Sequence, residues 1–249
     1  MKSPDIFAEG LRSVRIGLNF LTIFKIKIDP IPELKEVGQS SWAFPLVGAI
    51  IGVLLCLAFR TIDSFFTPFL SAVLVVGLWA FLTGGLHLDG WTDCWDALAA
   101  SVSQERRMEI LKDSRMGTFG ALGLMFLLAV KVGSLAVSDV SLAAVFAAPV
   151  VGRGFLVFST HGSRHRGEGM AAMFLAGVDE RAARLAIIIA LVAAVLAGLA
   201  GLLAAAIAYA AAFWFRRFAE NRLPSINGDV MGGICELSET VFLLICSMR

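Results

Sequence analysis

From Leu185 to Phe215 the chain runs for 31 consecutive residues without a charge. As one helix this stretch would measure about 46 Å, well beyond a bilayer hydrocarbon core of about 30 Å. It therefore forms either a long protruding helix or two segments meeting near Gly198 and Gly201. Other runs accompany it. Val37–Phe59 and Ser64–Leu86 are uncharged for 23 residues each. Met116–Val130 ends at Lys131 and extends towards Ser138, Val140–Thr160 is interrupted only by Arg153, and Val230–Ser247 carries Glu236 and Glu239. In lipid every backbone N–H and C=O must be satisfied internally, which leaves helices or closed barrels, and these runs are too long for barrel strands. The expected fold is all-α: a polytopic membrane helical bundle of about six to seven transmembrane helices. No internal repeat, low-complexity segment or linker divides the chain, so residues 1–249 form a single integral-membrane domain.

Composition agrees. Charged residues make up 16%, against about 25% in soluble domains. Hydrophobic residues are 58% and mean hydropathy is +0.81. The net charge of +1 implies no attraction to nucleic acid. Basic residues cluster near 12–27, 106–115, 153–166, 181–184 and 216–222 instead. The short segment 104–115, the N-terminal flank and the loop 161–184 are placed on the cytoplasmic side by their positive charge, and the charge-poor connection 60–67 on the other. Residues 6–24, apolar on one side with Arg12 and Arg15, are expected to lie partly in the membrane as a helix ended by Lys25, Asp29, Pro30 and Pro32. Cys56, Cys94, Cys235 and Cys246 are far apart, with no C-x-x-C pair to suggest zinc or redox chemistry. No cleaved signal peptide is expected.

The chemistry concentrates where the second 23-residue run ends. His87, Asp89, Asp93 and Asp96 follow Leu86 within ten positions. On a helix the three aspartates fall within an arc of about 60° and face one point. A single aspartate here would read as a helix cap or a solvated side chain. Three on one face, directly after a membrane run, ask for a cation, because carboxylates are costly at that depth. Hard divalent cations such as Mg²⁺ take oxygen ligands and hold phosphates as well. His87 lies elsewhere on the wheel, and packing or hydrogen bonding suits it as well as metal ligation does.

Two further polar blocks follow. Lys112-Asp113-Ser114-Arg115, then Gly117-Thr118-Phe119-Gly120, stand at the edge of the next apolar run. Helix N-termini favour anions, Lys112 and Arg115 suit phosphate, and Asp113 could complete a cation shell. At the other end, Asp229, Glu236 and Glu239 fall within an arc of about 80°. Asp229 and Glu236 are placed to meet the first block across a shared cavity. Arg153 is a candidate partner for an acid or a phosphate. His161, Arg164, His165, Arg166 and Glu168 form a polar loop that either contacts substrate or is solvated.

Gly-Gly-Leu-His-Leu-Asp-Gly-Trp-Thr-Asp-Cys-Trp-Asp-Ala-Leu (84–98) closely resembles the signature of the cobalamin synthase family, the adenosylcobinamide-GDP ribazoletransferases. Residues 107–120 and Gly228-Asp229-Val230-Met231-Gly232-Gly233-Ile234-Cys235-Glu236-Leu237-Ser238-Glu239 match in order and spacing. Phe20-Leu21-Thr22 with Pro30 and Pro32, and Phe44-Pro45-Leu46-Val47-Gly48, are similar landmarks. Trp91 and Trp95 depart from the usual small or aliphatic residues, Ala97 stands where a Gly often follows the third Asp, and Asn227 replaces a usual Thr, but no acidic residue is lost. The resemblance implies Mg²⁺-dependent transfer of the adenosylcobinamide phosphate group from adenosylcobinamide-GDP to α-ribazole or its 5′-phosphate, releasing GMP. It implies a multi-pass protein of a bacterial inner membrane with its acidic site towards the cytoplasm, and a homo-oligomer is compatible with it. On this reading Asp89, Asp93, Asp96 and Asp113, with Asp229, hold Mg²⁺. One of the carboxylates Asp89, Asp93 and Asp96, or Glu236, takes the proton of the attacking hydroxyl. Lys112, Arg115 and Arg153 bind substrate phosphate.

Two rivals are weaker. A CDP-alcohol phosphotransferase-like lipid enzyme would need Ala-Arg at a set distance after Asp89-Gly90, where Trp91-Thr92-Asp93 stands. An ion-coupled transporter would show internal repeats and a midplane site, whereas these acids gather near a helix end.

Overall fold

The computed structural model describes residues 6–137, 141–163 and 170–248. Arg164, His165, Arg166 and Glu168 of the polar loop lie outside the described residues. The described residues contain helices and turns but no strand. In chain order the helices are α1 (Ile6–Leu21), α2 (Leu34–Gln39), α3 (Phe44–Asp63), α4 (Pro68–Leu82), α5 (Leu86–Ala99) and α6 (Gln104–Ile110). They continue with α7 (Thr118–Leu135), α8 (Leu142–Thr160), α9 (Met170–Leu175), α10 (Glu180–Leu196), α11 (Gly198–Glu220) and α12 (Gly228–Cys246). Several start where side chains cap free N–H groups. Thr67, Ser103, Ser141, Asp179 and Asn227 each accept from the backbone N–H three residues on.

Four helical stretches are long and apolar enough to cross a membrane: Leu34–Asp63, α7, α8 and α11. A fifth arises if α4 and α5, bent by 94° to each other, count as one broken span. The expected six to seven is reached only by adding α10, of 17 residues, and α12. The latter carries Asp229, Glu236 and Glu239, yet most of it is buried within the bundle, so its charges meet protein rather than lipid. The 31-residue run is two helices, broken at Gly198, whose φ of +72° ends α10. The outer faces are apolar: Leu57, Phe81, Phe126, Leu199 and Trp214 are all exposed. Such a surface suits lipid, and the protein is a polytopic helical membrane protein.

The core centres on α8, which packs against α3, α10 and α12. Between helices in lipid there is little hydrophobic driving force, so close van der Waals packing of small residues takes over. Ala182, Ala186, Ala190, Ala193 and Ala194 line the buried face of α10, and Ala204, Ala205, Ala208 and Ala212 that of α11. On α3, a Cβ at Gly48 would stand 2.4 Å from the Pro149 carbonyl oxygen of α8. That neighbour is backbone and cannot swing aside. Gly48→Ala is expected to cost about 1–3 kcal/mol through overpacking, while Gly77→Ala, facing open space, should be neutral or slightly stabilising. Thermal unfolding in detergent measures both, and an unshifted midpoint for Gly48→Ala would contradict the close crossing.

Candidate active site

The site begins at the right-angle turn between α4 and α5. Gly84 and Gly85 hold φ of +60° and +69° there, a left-handed pair that a side chain would strain. Their N–H groups donate to the carbonyls of Phe81 and Ala80, both at 2.9 Å, closing the end of α4. α5 then starts with Asp89 in its first turn, where the helix dipole favours a negative charge. Gly90 meets α12 so closely that a Cβ would come 2.9 Å from the Asp229 Cα. This crossing sets Asp229 beside Asp89 and Asp93. Asn227 caps α12 by accepting from the Val230 N–H at 3.0 Å and donates to Asp229 at 2.7 Å.

Asp93 feels the charges of Asp89, Asp229 and Asp96. Among the described residues, no lysine or arginine pairs with any of the four. Asp89 is exposed and Asp93, Asp96 and Asp229 are half-buried; half-buried carboxylates without a counter-charge are expensive, and oxygen donors of this kind suit a hard cation. Among the described residues, no three His, Cys, Asp or Glu side chains already close into a metal shell.

Asp96 is different. It accepts from the Gly117 N–H and the Gly120 N–H, both at 2.7 Å. It thus caps α7 from a neighbouring helix. A Cβ at Gly117 or Gly120 would come within 2.4 Å of its carboxylate oxygens. α5 is itself ended by Arg107, whose guanidinium donates to the carbonyls of Ala97 at 2.5 Å and Leu98 at 3.2 Å. Trp91 donates to the Gly123 carbonyl at 3.0 Å. Each oxygen of Asp96 thus accepts one bond that fixes α7 against α5, a positioning role that the sequence, which pointed to catalysis or cation binding, did not reveal.

In the second block, Asp113 and Arg115 pair with each other. Arg115 binds Asp113 through Nε at 2.9 Å and Nη2 at 2.7 Å, on the surface. Arg115 holds the Asp113 carboxyl down to about 2. Asp113 thus faces a guanidinium rather than Asp89, Asp93 and Asp229. Lys112 is exposed in the same turn.

Glu236 and Glu239 point into the core. Lys131 of α7 donates to both, at 2.6 Å each. Arg153 of α8 pairs with the other oxygen of Glu239 and lies 3.5 Å from His87 Nδ1. The Lys131 ammonium also sits 4.3 Å from the centre of the Trp79 ring, a cation–π contact. Arg153 and Glu239 are fully buried, and Lys131, Glu236 and His87 are 3% exposed. This corrects two expectations: Glu236 is salt-bridged in the interior rather than poised as a general base, and Arg153 has no surface to offer a phosphate. The physical reason is charge balance, since two carboxylates in a low dielectric require two cations. His87 resolves to hydrogen bonding beside Arg153. Lys131 was missed; its signal is a lone lysine deep in an otherwise uncharged helix.

A cavity of about 1190 Å³ opens between the end of α1, α4, α5 and α7. Its walls are largely apolar, including Val76, Leu88, Leu124 and Leu128, and its charged lining residues are Asp89 and Lys25. Thr22, Thr92 and Ser114 add hydroxyls.

Lys131→Met leaves two buried carboxylates sharing one arginine and is expected to destabilise the protein by about 3–5 kcal/mol. The double variant Lys131→Met/Glu236→Gln should recover part of this, as read from thermal unfolding. Asp96→Ala removes the cap of α7 at a cost of about 0.5–2 kcal/mol, with Asp96→Asn between it and the native protein in the same assay.

The family described as cobalamin-5-phosphate synthase matches residues 13–247. The adenosylcobinamide-GDP ribazoletransferase of Alkaliphilus metalliredigens is 33% identical over 230 residues, 91% of each chain. Its Pseudomonas syringae counterpart is 34% identical over 238 residues, 94% of this chain and 98% of the relative. The one from Thermoanaerobacter sp. is 28% identical over 242 residues, 95% and 97% of the two. No solved structure matches the chain.

Proposed function

The chain belongs to the cobalamin-5-phosphate synthase family, and from that premise we propose that it transfers the adenosylcobinamide phosphate group from adenosylcobinamide-GDP to α-ribazole or α-ribazole 5′-phosphate, with release of GMP. That it is a transferase of cobalamin biosynthesis follows from the family and its relatives. The observation carrying the finer reading is the group Asp89, Asp93 and Asp229, unpaired with any base among the described residues and opening onto the cavity through Asp89.

Such oxygen donors suit Mg²⁺, and Asp89, Asp93 and Asp229 are the residues that would hold it. When bound, Mg²⁺ neutralises pyrophosphate charge and so eases departure of the GMP leaving group. The chain's own groups supply the rest. Asp89, exposed and lining the cavity, is the carboxylate available to take the proton of the attacking ribose hydroxyl. The apolar walls receive the aromatic base of the acceptor and keep competing water from the phosphorus. Asp96 acts at one remove, by holding α7 against α5. The basic segment around Arg106 and Arg107 adjoins the site, and positive-inside asymmetry supports a cytoplasmic position for the chemistry.

Purified protein given adenosylcobinamide-GDP, an α-ribazole acceptor and Mg²⁺ is expected to release GMP in step with formation of the coupled product. Asp93→Asn should lower turnover by about 10²-fold or more while retaining membrane insertion and its unfolding midpoint. Near-normal turnover of that variant would sink the assignment of the site; absence of GMP with folded native protein would sink the reaction.

A further inference from the structure

Of the bases expected to bind phosphate, Arg153 is sealed in the core, Arg115 is held by Asp113, and Lys112, though exposed, does not line the cavity. A charged substrate entering the cavity instead meets Lys25, the basic residue of its lining. We infer that Lys25 is the phosphate-binding residue of this site: it lines the same cavity as Asp89, and its ammonium binds a phosphate oxygen of the substrate. The inference rests on the proposed phosphotransfer, because both the pyrophosphate donor and a 5′-phosphorylated acceptor carry the anion it requires.

The segment bearing Lys25 is built to hold it there. Thr22 donates its hydroxyl to the Leu18 carbonyl at 2.6 Å and accepts from the Phe24 N–H at 3.2 Å. The Ile23 N–H donates to the Leu82 carbonyl at 2.9 Å, at the turn that leads into α5. Asn19 then clasps Ile26 twice, donating to its carbonyl and accepting from its N–H, both at 2.6 Å. The backbone on either side of Lys25 is thus tied to α1 and α4, two of the helices that flank the cavity. The ammonium itself donates to the neutral Asn19 carbonyl at 3.2 Å, and among the described residues no carboxylate pairs with it. Lysine binds phosphate as a compact point charge with three donors. A cavity with apolar walls and a few convergent polar groups is the usual form of a small-molecule site. Here a cation and an anion, each without an ionic partner, line one such space, which matches a ligand that is itself anionic on one side and cation-associated on the other.

The pinning bonds run through Asn19, Thr22 and the main chain, so the Lys25 side chain can be removed without loosening the segment. Lys25→Ala is expected to keep the native unfolding midpoint and a kcat within a few-fold of native. The KM for the phosphate-bearing substrate should rise about 10–100-fold, the range of a lost charge-assisted hydrogen bond, and Lys25→Arg should restore most of it. If the contact is to the acceptor, the rise appears with α-ribazole 5′-phosphate and not with α-ribazole. If it is to the donor, the KM for adenosylcobinamide-GDP rises equally with either acceptor. Inorganic pyrophosphate, added with Mg²⁺ and followed by thermal shift, gives a readout that does not depend on turnover. The native protein should bind it about tenfold or more tightly than Lys25→Ala. Equal pyrophosphate binding by the two, no binding by the native protein, or unchanged KM values for all three substrates overturns the inference while native GMP release leaves the reaction standing. Weakened pyrophosphate binding without any native GMP release upholds the anion site and overturns the reaction.

Discussion

Four buried charges hold this bundle together. Lys131 bridges Glu236 and Glu239 at 2.6 Å each, and Arg153 closes the set through Glu239. Isolated, any one of them would be prohibitive in a lipid-embedded core; together they are neutral and mutually hydrogen-bonded. They tie α7, α8 and α12, and His87 beside Arg153 brings in the first turn of α5. Apolar contacts between helices, which are non-directional, tolerate small shifts of register with little change in packing energy. A buried ion pair does not, because it is satisfied at one register only.

That register aims the acidic cluster. With His87 held in the interior, Asp89 comes to the cavity and Asp93 and Asp229 stand beside it where α5 crosses α12. Asp96 is spent on the N-terminus of α7 through the Gly117 and Gly120 N–H groups, and Arg107 ends α5 through two of its carbonyls. Of the three aspartates on one helical face, Asp89 thus lines the cavity, Asp93 stands near Asp229, and Asp96 positions the neighbouring helix. The sharp bend at Gly84–Gly85 makes this possible. It turns α5 by 94° away from α4, so the carboxylates do not continue down the axis of an apolar helix but lie across the bundle, next to α7 and α12.

Local pattern told much of this in advance. The uncharged runs predicted helices, and a break near Gly198 and Gly201 was one of two readings of the longest. The spacing of Asp89, Asp93 and Asp96 pointed to one acidic face, and that of Asp229, Glu236 and Glu239 to a second, with Asp229 and Glu236 expected to meet the first. Periodicity misled where a side chain's partner was distant. Asp96 shares the arc of Asp89 and Asp93, but an arc says nothing about the N–H groups 21 and 24 residues on. Glu236 shares the arc of Asp229, but its partner Lys131 lies 105 residues away. Lys25 looked like the end of a helix, and only the fold of the segment around it carried it to the cavity.

The sequence by itself therefore determined that this chain lives in a membrane as helices, and that a cluster of carboxylates sits at the end of an apolar run. Both follow from local physics: the cost of an unpaired backbone group or charge in lipid does not depend on which helix lies next door. Tertiary structure alone decided which carboxylates remain free for chemistry, which are neutralised in the core, and which base shares the cavity with Asp89. Those outcomes depend on counter-charges and hydrogen-bond donors that come from helices far apart in sequence, and their positions are set only once the bundle has packed.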